Sequence, residues 1–340
     1  MRRRGLASLY VWASLMFCLF APLGKALAED YLFKYEGKNY KKEDLPPAAQ
    51  QAFYEAEKAR QENYSRVVEA FLLEKYVGDQ AKKLKKSVEA VQEELFKVKE
   101  VNEVEAKAWY DSNKEAVGGR DFNSLKPEIM HYMQGKQVEK VRGEILDRIK
   151  KSGALVMQLP ELQAPKIEIA HEGFPSKGAA KSKVTIIEFA DYMCPHCRKA
   201  SFNLKSFVEK NKDRVKLVYL DFPLSQNGVS KGIAEAAYCA DKQGKFWEFH
   251  YMAFENQTKL NAESPLQFAK TLKLKVDDFK ACMGTEDAKK RVEKARAEGE
   301  RVGVAATPSI YVNGVKINGY SEEALLAETE KALGTAPVVR

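Results

Sequence analysis

"IIEFADYMCPHC", residues 186 to 197, runs from an apolar, β-branched stretch into two cysteines separated by a Pro-His pair. The stretch begins at Lys183 as "KVTIIEFA", a pattern suited to a strand buried on both faces. Beyond the cysteines, Ala200, Leu204, Phe207 and Val208 fall on one face of a helix. "VKLVYLDFPL" at 215 to 224 is a second buried strand. Strand, helix, strand at this spacing predicts a parallel crossover unit, with Cys194 at the junction of the first strand and the helix.

Two cysteines two residues apart can be half of a zinc site, but tetrahedral zinc needs four ligands, usually including a second close pair. No second pair exists: Cys239 and Cys282 are isolated, and His131, His171 and His250 form no ligand-spaced cluster. Neither a metal nor another cofactor is expected. At a helix N-terminus, unpaired N–H groups and the positive end of the dipole favour a Cys194 thiolate. His196, when protonated, adds to this, and Pro195 fits the first turn. Stabilising the anion stabilises the reduced pair, which makes the disulfide a stronger oxidant.

A second motif, "GVAATPSIYVNG" at 303 to 314, places Thr307-Pro308 directly before a β run. Between the two motifs, residues 225 to 302 read as successive helices. Together the motifs resemble the DsbA-like thioredoxin-fold oxidoreductases, from about Lys166 to Leu333. The resemblance implies an α/β thioredoxin fold whose helical insertion caps the active-site face. It makes Cys194 the exposed nucleophile and Cys197 the resolving sulfur, with Pro195-His196 the oxidase-type pairing. It also makes Thr307-Pro308 a cis bond beside the pair, where Thr307 offers its backbone to an extended substrate; a plain trans bond entering the strand is the alternative. Some oxidases of the family carry Val where Thr307 stands, which leaves the balance between oxidation and isomerisation open.

Glu188 interrupts an apolar run, which is costly for a carboxylate unless it is neutral or partnered. By resemblance it is a buried acid of raised pKa that relays the Cys197 proton; a strand-edge Glu reaching solvent is the plainer reading. Cys239 and Cys282 are either a structural disulfide within the insertion or two separate buried thiols. Phe246, Trp247, Phe249 and Phe254 recur at helical spacing, as core residues do; lining a peptide groove is the alternative. No role is assigned to His250.

The chain opens with Arg2, Arg3 and Arg4, an apolar run from Leu6 to about Leu23, and the ending Ala26-Leu27-Ala28. This is the pattern of an export signal cleaved after Ala28, with an uncleaved membrane anchor as the alternative. Removing residues 1 to 28 takes Cys18 with it and lowers the formal charge from +8 to +4, as 52 basic residues then face 48 acidic ones. "KKLKK" at 82 to 86 reads as a solvated helix face, so nucleic acid is not an expected partner. Four cysteines remain, an even number that favours disulfide chemistry in an exported protein.

The remaining length suggests two domains. Residues 29 to 158 read as mostly helical after a short hairpin turning at Glu36-Gly37. Apolar positions recur at three and four, at Tyr64, Val67, Val68, Phe71, Leu72 and Tyr76, and at Leu84, Val88, Val91 and Leu95. Another helix carries Ile129, Tyr132, Met133, Val138, Val141, Ile145 and Ile149. "YEGKNYKKEDLP", "VNEVEAKAWYDSNKE" and "GALVMQLPEL" resemble the N-terminal domain of SurA-like and PrsA-like extracytoplasmic chaperones, while a generic helical bundle fits the same residues. The chain is too short here for a parvulin domain. Residues 159 to 183 read as linker and approach to the second domain, and 184 to 340 as the thioredoxin-like domain, with its insertion at about 225 to 302.

The expected function is an exported thiol-disulfide oxidoreductase in the periplasm or another extracytoplasmic space. Its partners would be reduced or unfolded exported proteins and a membrane thiol oxidase or reductase that resets the pair. Two alternatives stand beside it: an isomerase or reductase whose helical half is a chaperone or forms a homo-oligomer, and a non-catalytic holdase chaperone.

Overall fold

The computed structural model describes residues 32–114, 117–225 and 228–334. The export signal assigned to residues 1 to 28 lies outside the described residues. Two compact units are present, a short one ending at Pro46 and a long one from Pro47 onward. In the first, β1 (Phe33–Tyr35) and β2 (Lys38–Tyr40) pair antiparallel. Their two-residue turn puts Glu36 and Gly37 at φ 48° and 82°, the left-handed geometry that suits a tight hairpin.

The long unit begins with four helices: α1 (Pro47–Leu84), α2 (Val88–Leu95), α3 (Glu103–Ser112) and α4 (Phe122–Lys151). Polar caps start three of them. Ser87 accepts from the N–H of Ala90, Asn102 from Glu105 and Asp121 from Ser124. Val101, Ala106, Leu125 and Ile129 form one small core here, and Val77, Ala81 and Val91 another. The apolar stripe read from α1 is only partly covered: Tyr64, Val67 and Phe71 are 49%, 69% and 61% exposed, while Val68, Leu72 and Tyr76 are half-buried. Periodicity correctly gave a helix, but the buried contact with α2 uses a neighbouring face that includes Val77 and Ala81.

The second half is built on a five-stranded mixed sheet of β3 (Ser176–Gly178), β4 (Val184–Ala190), β5 (Val215–Asp221), β6 (Ser309–Val312) and β7 (Val315–Ile317), in the order β3-β5-β4-β6-β7. β4 and β5 are parallel, joined by α5 (Pro195–Lys210), and the other pairings are antiparallel. Edge strand β3 lies in the stretch read as linker and approach; at three residues it is too short to show alternation. Between β5 and β6 come α6 (Val229–Asp241), α7 (Phe246–Glu255), α8 (Ser264–Thr271), α9 (Val276–Cys282) and α10 (Glu286–Arg301), and α11 (Glu322–Leu333) closes the described chain. This is the α/β arrangement with helical insertion and preceding helices that the sequence implies.

Alternation along β4 divides the core into layers. Val184 and Ile186 pack with Leu204, Phe207 and Val208 of α5 and Leu325 of α11. Ile187 and Phe189 face the other way, toward Ala295 of α10 and Phe222. That second layer is tight: a Cβ at Gly299 would lie 2.5 Å from the Phe222 ring. A third cluster ties the insertion to the active-site side, through Tyr192, Cys197, Tyr219, Phe249 and Phe254. The aromatic residues of α7 are therefore mainly core, with Phe246, Phe249 and Phe254 buried. Near the start of α1, Glu55 pairs with Lys316 of β7 at 2.7 Å, and Ala48 sits against Gly303, which leads to the Thr307-Pro308 segment.

Candidate active site

β4 delivers the chain to its C-terminal edge, where Asp191 organises the turn that follows. Its carboxylate accepts from the N–H groups of Met193 at 2.7 Å, Leu224 at 2.7 Å and Ser225 at 3.1 Å, and from the Ser230 hydroxyl. Cys194 is the N-cap of α5 and Pro195 its first residue, so the proline's missing N–H removes no helical bond. The Cys194 carbonyl accepts from the N–H of Cys197 at 3.0 Å and of Arg198 at 3.3 Å. The sulfurs are unbonded here; Cys194 is half-buried, and Cys197, one turn into the helix, is buried.

Electrostatics separate the two thiols. A hydrogen bond from the Cys197 thiol, the N–H groups of Cys197 and His196, and a hydrogen bond from the Thr307 side chain bring Cys194 down to about 5 against the opposing effect of partial burial. Cys197 moves far upward, because burial penalises its anion and its thiol is engaged with Cys194. His196 reaches the Cys194 sulfur through its backbone N–H, while its side chain is exposed to solvent.

Glu188 lies on the face of β4 shared with Ile186 and Ala190, opposite Tyr219 on β5 and Ile310 on β6. It is buried, so it does not reach solvent as a strand-edge Glu would, and its Oε1 has no hydrogen-bond partner. Burial, and secondarily the Cys194 charge, push it up to about 8. The Thr307-Pro308 bond is cis, and the Cys194 sulfur donates to the Thr307 carbonyl at 3.2 Å. Cys194, Pro195, His196, Cys197, Glu188, Thr307 and Pro308 are thus assembled at one edge of the sheet. Cys239 and Cys282 lie apart from them, joined as a disulfide between α6 and α9.

Several supporting residues carry no sequence motif. His250, left without a role, is buried between the Tyr192 hydroxyl at 3.1 Å and the Ser201 hydroxyl at 2.8 Å. Burial lowers it to about 3, which keeps it neutral. Gln257 donates from the insertion to two carbonyls of the cysteine turn. Of these residues only Asp191 had a local signal, as an Asp two residues before the N–H it accepts. Among the described residues, no cluster of His, Cys, Asp and Glu could hold a metal. Chemically, the site pairs an acidic, reachable thiol with a buried one and a protonated carboxyl, a combination suited to thiol-disulfide exchange.

Residues 172–330 match the family model described as Thioredoxin. The probable disulfide bond formation protein D of Bacillus cereus is 30% identical over 153 residues, covering 41% of this chain and 69% of that protein. The chain belongs to the DsbA-like thioredoxin-fold thiol-disulfide oxidoreductases. This DsbA-like chain is also 30% identical over 162 residues to the Na(+)/H(+) antiporter NhaA 3 of Salinispora tropica; the match covers 47% of the chain but only 25% of the antiporter. The crystal structure of oxidised BdbD from Bacillus subtilis is 26% identical, with a TM-score of 0.47, and the match covers 51% of the DsbA-like chain and 99% of BdbD.

Proposed function

We propose that the protein is an exported oxidoreductase that introduces disulfides into folding proteins. The observation that carries this reading is the acidity of Cys194, about 5, beside a Cys197 driven upward. A thiolate this well stabilised makes the reduced state favourable, so electrons pass from client to protein.

In the oxidised pair, a client thiolate attacks Sγ of Cys194, and the Cys194–Cys197 bond breaks with its electron pair leaving on Cys197. Burial does not tolerate that charge, so the sulfur takes the proton held by Glu188. A second client thiolate attacks the client sulfur in the mixed disulfide and expels Cys194 as a thiolate. The client loses two electrons and two protons; one proton replaces that given up by Glu188 and the other goes to solvent. Pro195 keeps the turn in helical geometry, His196 supports the thiolate through its backbone N–H, and Thr307 with Pro308 presents backbone to an extended client.

The partners in this reading are reduced exported proteins and a membrane thiol oxidase that removes the electrons. Residues 1 to 28 supply the export signal. Among the described residues, no helix is long and apolar enough to cross a membrane. A second reading, an isomerase whose residues 29 to 158 form a chaperone-type or self-associating domain, is supported by the exposed Tyr64, Val67 and Phe71 on α1.

The deciding experiment measures the Cys194 titration, the reduction potential of the pair and the solution mass of the chain lacking residues 1 to 28. The oxidase reading expects a thiol near 5 and a potential well above the about −270 mV of thioredoxin, with rapid oxidation of a reduced client. An ordinary thiol near ~8.5 would overturn it. Preferential repair of scrambled disulfides by an oligomer would favour the second reading.

A further inference from the structure

The turn carrying Cys194 is also held from outside the strand-helix unit. Gln257 lies in a single helical turn after α7 and is buried. Its amide nitrogen donates to the Tyr192 carbonyl at 2.8 Å and to the Cys194 carbonyl at 2.9 Å. Both partners are acceptors, so only the NH2 end of the amide can face them, and its two hydrogens are both engaged. One side chain thereby holds the 192–193 peptide plane and joins it to the 194–195 plane, which the N–H groups of Cys197 and Arg198 also hold, and so helps set the direction in which the Cys194 sulfur leaves the helix end.

We propose that Gln257 is a positioning residue of the redox centre, the clamp by which the helical insertion holds Cys194 against the N–H groups of α5. This rests on Cys194 being the exchanging sulfur. Carbonyl oxygens are the negative ends of their peptide groups, and turning two of them toward Gln257 keeps them away from the thiolate. The N–H groups of His196 and Cys197 remain directed at it. Without the amide, the Tyr192 carbonyl must find another donor, the Cys194 carbonyl keeps only those of Cys197 and Arg198, and the turn that aligns the sulfur relaxes. The other groups facing the sulfur are Glu188 from β4, the Cys197 thiol from α5 and Thr307 before β6; substitution at 257 alters none of them.

The test uses the full chain with Gln257→Met, which keeps the shape and removes both donors, and Gln257→Glu, which sets a carboxylate against the same carbonyls. Each is equilibrated with glutathione, and thiolate absorbance is followed against pH. The expected result is an equilibrium constant for reduction of the pair lowered about tenfold in Gln257→Met, ~30 mV less oxidising. Gln257→Glu should fall further, with Cys194 titrating higher in the same order. A purely structural role would lower stability in both variants and leave the potential unmoved. Folded variants with the native potential would overturn the proposal, and if the charged variant does not fold, Gln257→Met alone decides. A native chain that fails to exchange with glutathione would sink the oxidoreductase reading itself; a native chain that exchanges, matched by its variants, sinks only the role of Gln257.

Discussion

The Cys194 sulfur lies 3.2 Å from the Thr307 carbonyl oxygen, although 113 residues separate them along the chain. The antiparallel pairing of β4 with β6 brings them together, since Phe189 stands opposite Ser309. The acidic sulfur and a backbone group suited to strand pairing thus share one edge of the sheet. In the proposed exchange, a client that pairs there would carry its own sulfur to Cys194.

The two thiols should fail differently. Cys194→Ser removes the attacked sulfur and should reduce client oxidation to the uncatalysed level. Cys197→Ser cannot form the internal disulfide and should not oxidise reduced clients either, but its Cys194 thiolate can still attack a client disulfide and release one client thiolate. With no Cys197 to displace the bound sulfur, these mixed disulfides should accumulate and be visible on non-reducing gels. Equal behaviour of the two variants would contradict the assignment of attack to Cys194.

Glu188 should leave a pH signature on stability. Its carboxyl releases a proton near 4.5 when unfolded and near 8 in the fold, because burial disfavours its charge. Between those values the native state holds the extra proton, so stability falls as pH rises. At pH 7 the cost is on the order of 3 kcal/mol. Asp221, raised to about 7 by burial, acts with the same sign. Glu188→Gln removes only its own share. In urea titrations of the reduced chain, its stability relative to the native protein should climb from pH 4.5 to about 8 and level off outside that window. A difference independent of pH would mean that Glu188 ionises in the fold as it does in water.

The cysteine motif and the Thr307-Pro308 segment were legible because their signals are local: a buried run before Cys194, a proline at the first helical position, and a Thr-Pro before a strand. Glu188 was legible for the opposite reason, as a charge where only apolar residues are cheap. What escaped notice depends on distant partners. His250 meets Tyr192 and Ser201, which lie 58 and 49 residues away, and nothing around His250 itself announces them. Spacing at three and four reveals that Tyr64, Val67 and Phe71 share a helix face, yet it does not say whether anything covers that face.

Asp191 is sensitive to a very small change. One oxygen accepts from Met193 and Ser230, the other from Leu224 and Ser225, so both must be acceptors. Asp191→Asn has to turn an NH2 group toward one of those donor pairs. The Ser230 hydroxyl can rotate to accept from that NH2 group, so the amide should face this pair and leave the Met193 N–H unmet, at a cost of about 1–3 kcal/mol. Chemical denaturation measures this, and a loss under about 0.5 kcal/mol, ordinary for a surface change, would contradict it.

The disulfide within the insertion should matter for both stability and chemistry. Cys239 and Cys282 close a loop with a sequence separation of 43, and linking residues that far apart restricts the unfolded chain by ~4 kcal/mol. Gln257 lies within that loop. The Cys239→Ala/Cys282→Ala double variant should therefore unfold at lower denaturant by about that energy. It should also be a weaker oxidant, since the segment clamping the Cys194 turn is less firmly anchored. Unfolding curves and glutathione equilibria on the same samples test both effects. Coincident unfolding midpoints would mean that the bond adds nothing to the folded state, while a lowered midpoint with unchanged potential would separate the insertion's stability from its hold on Cys194.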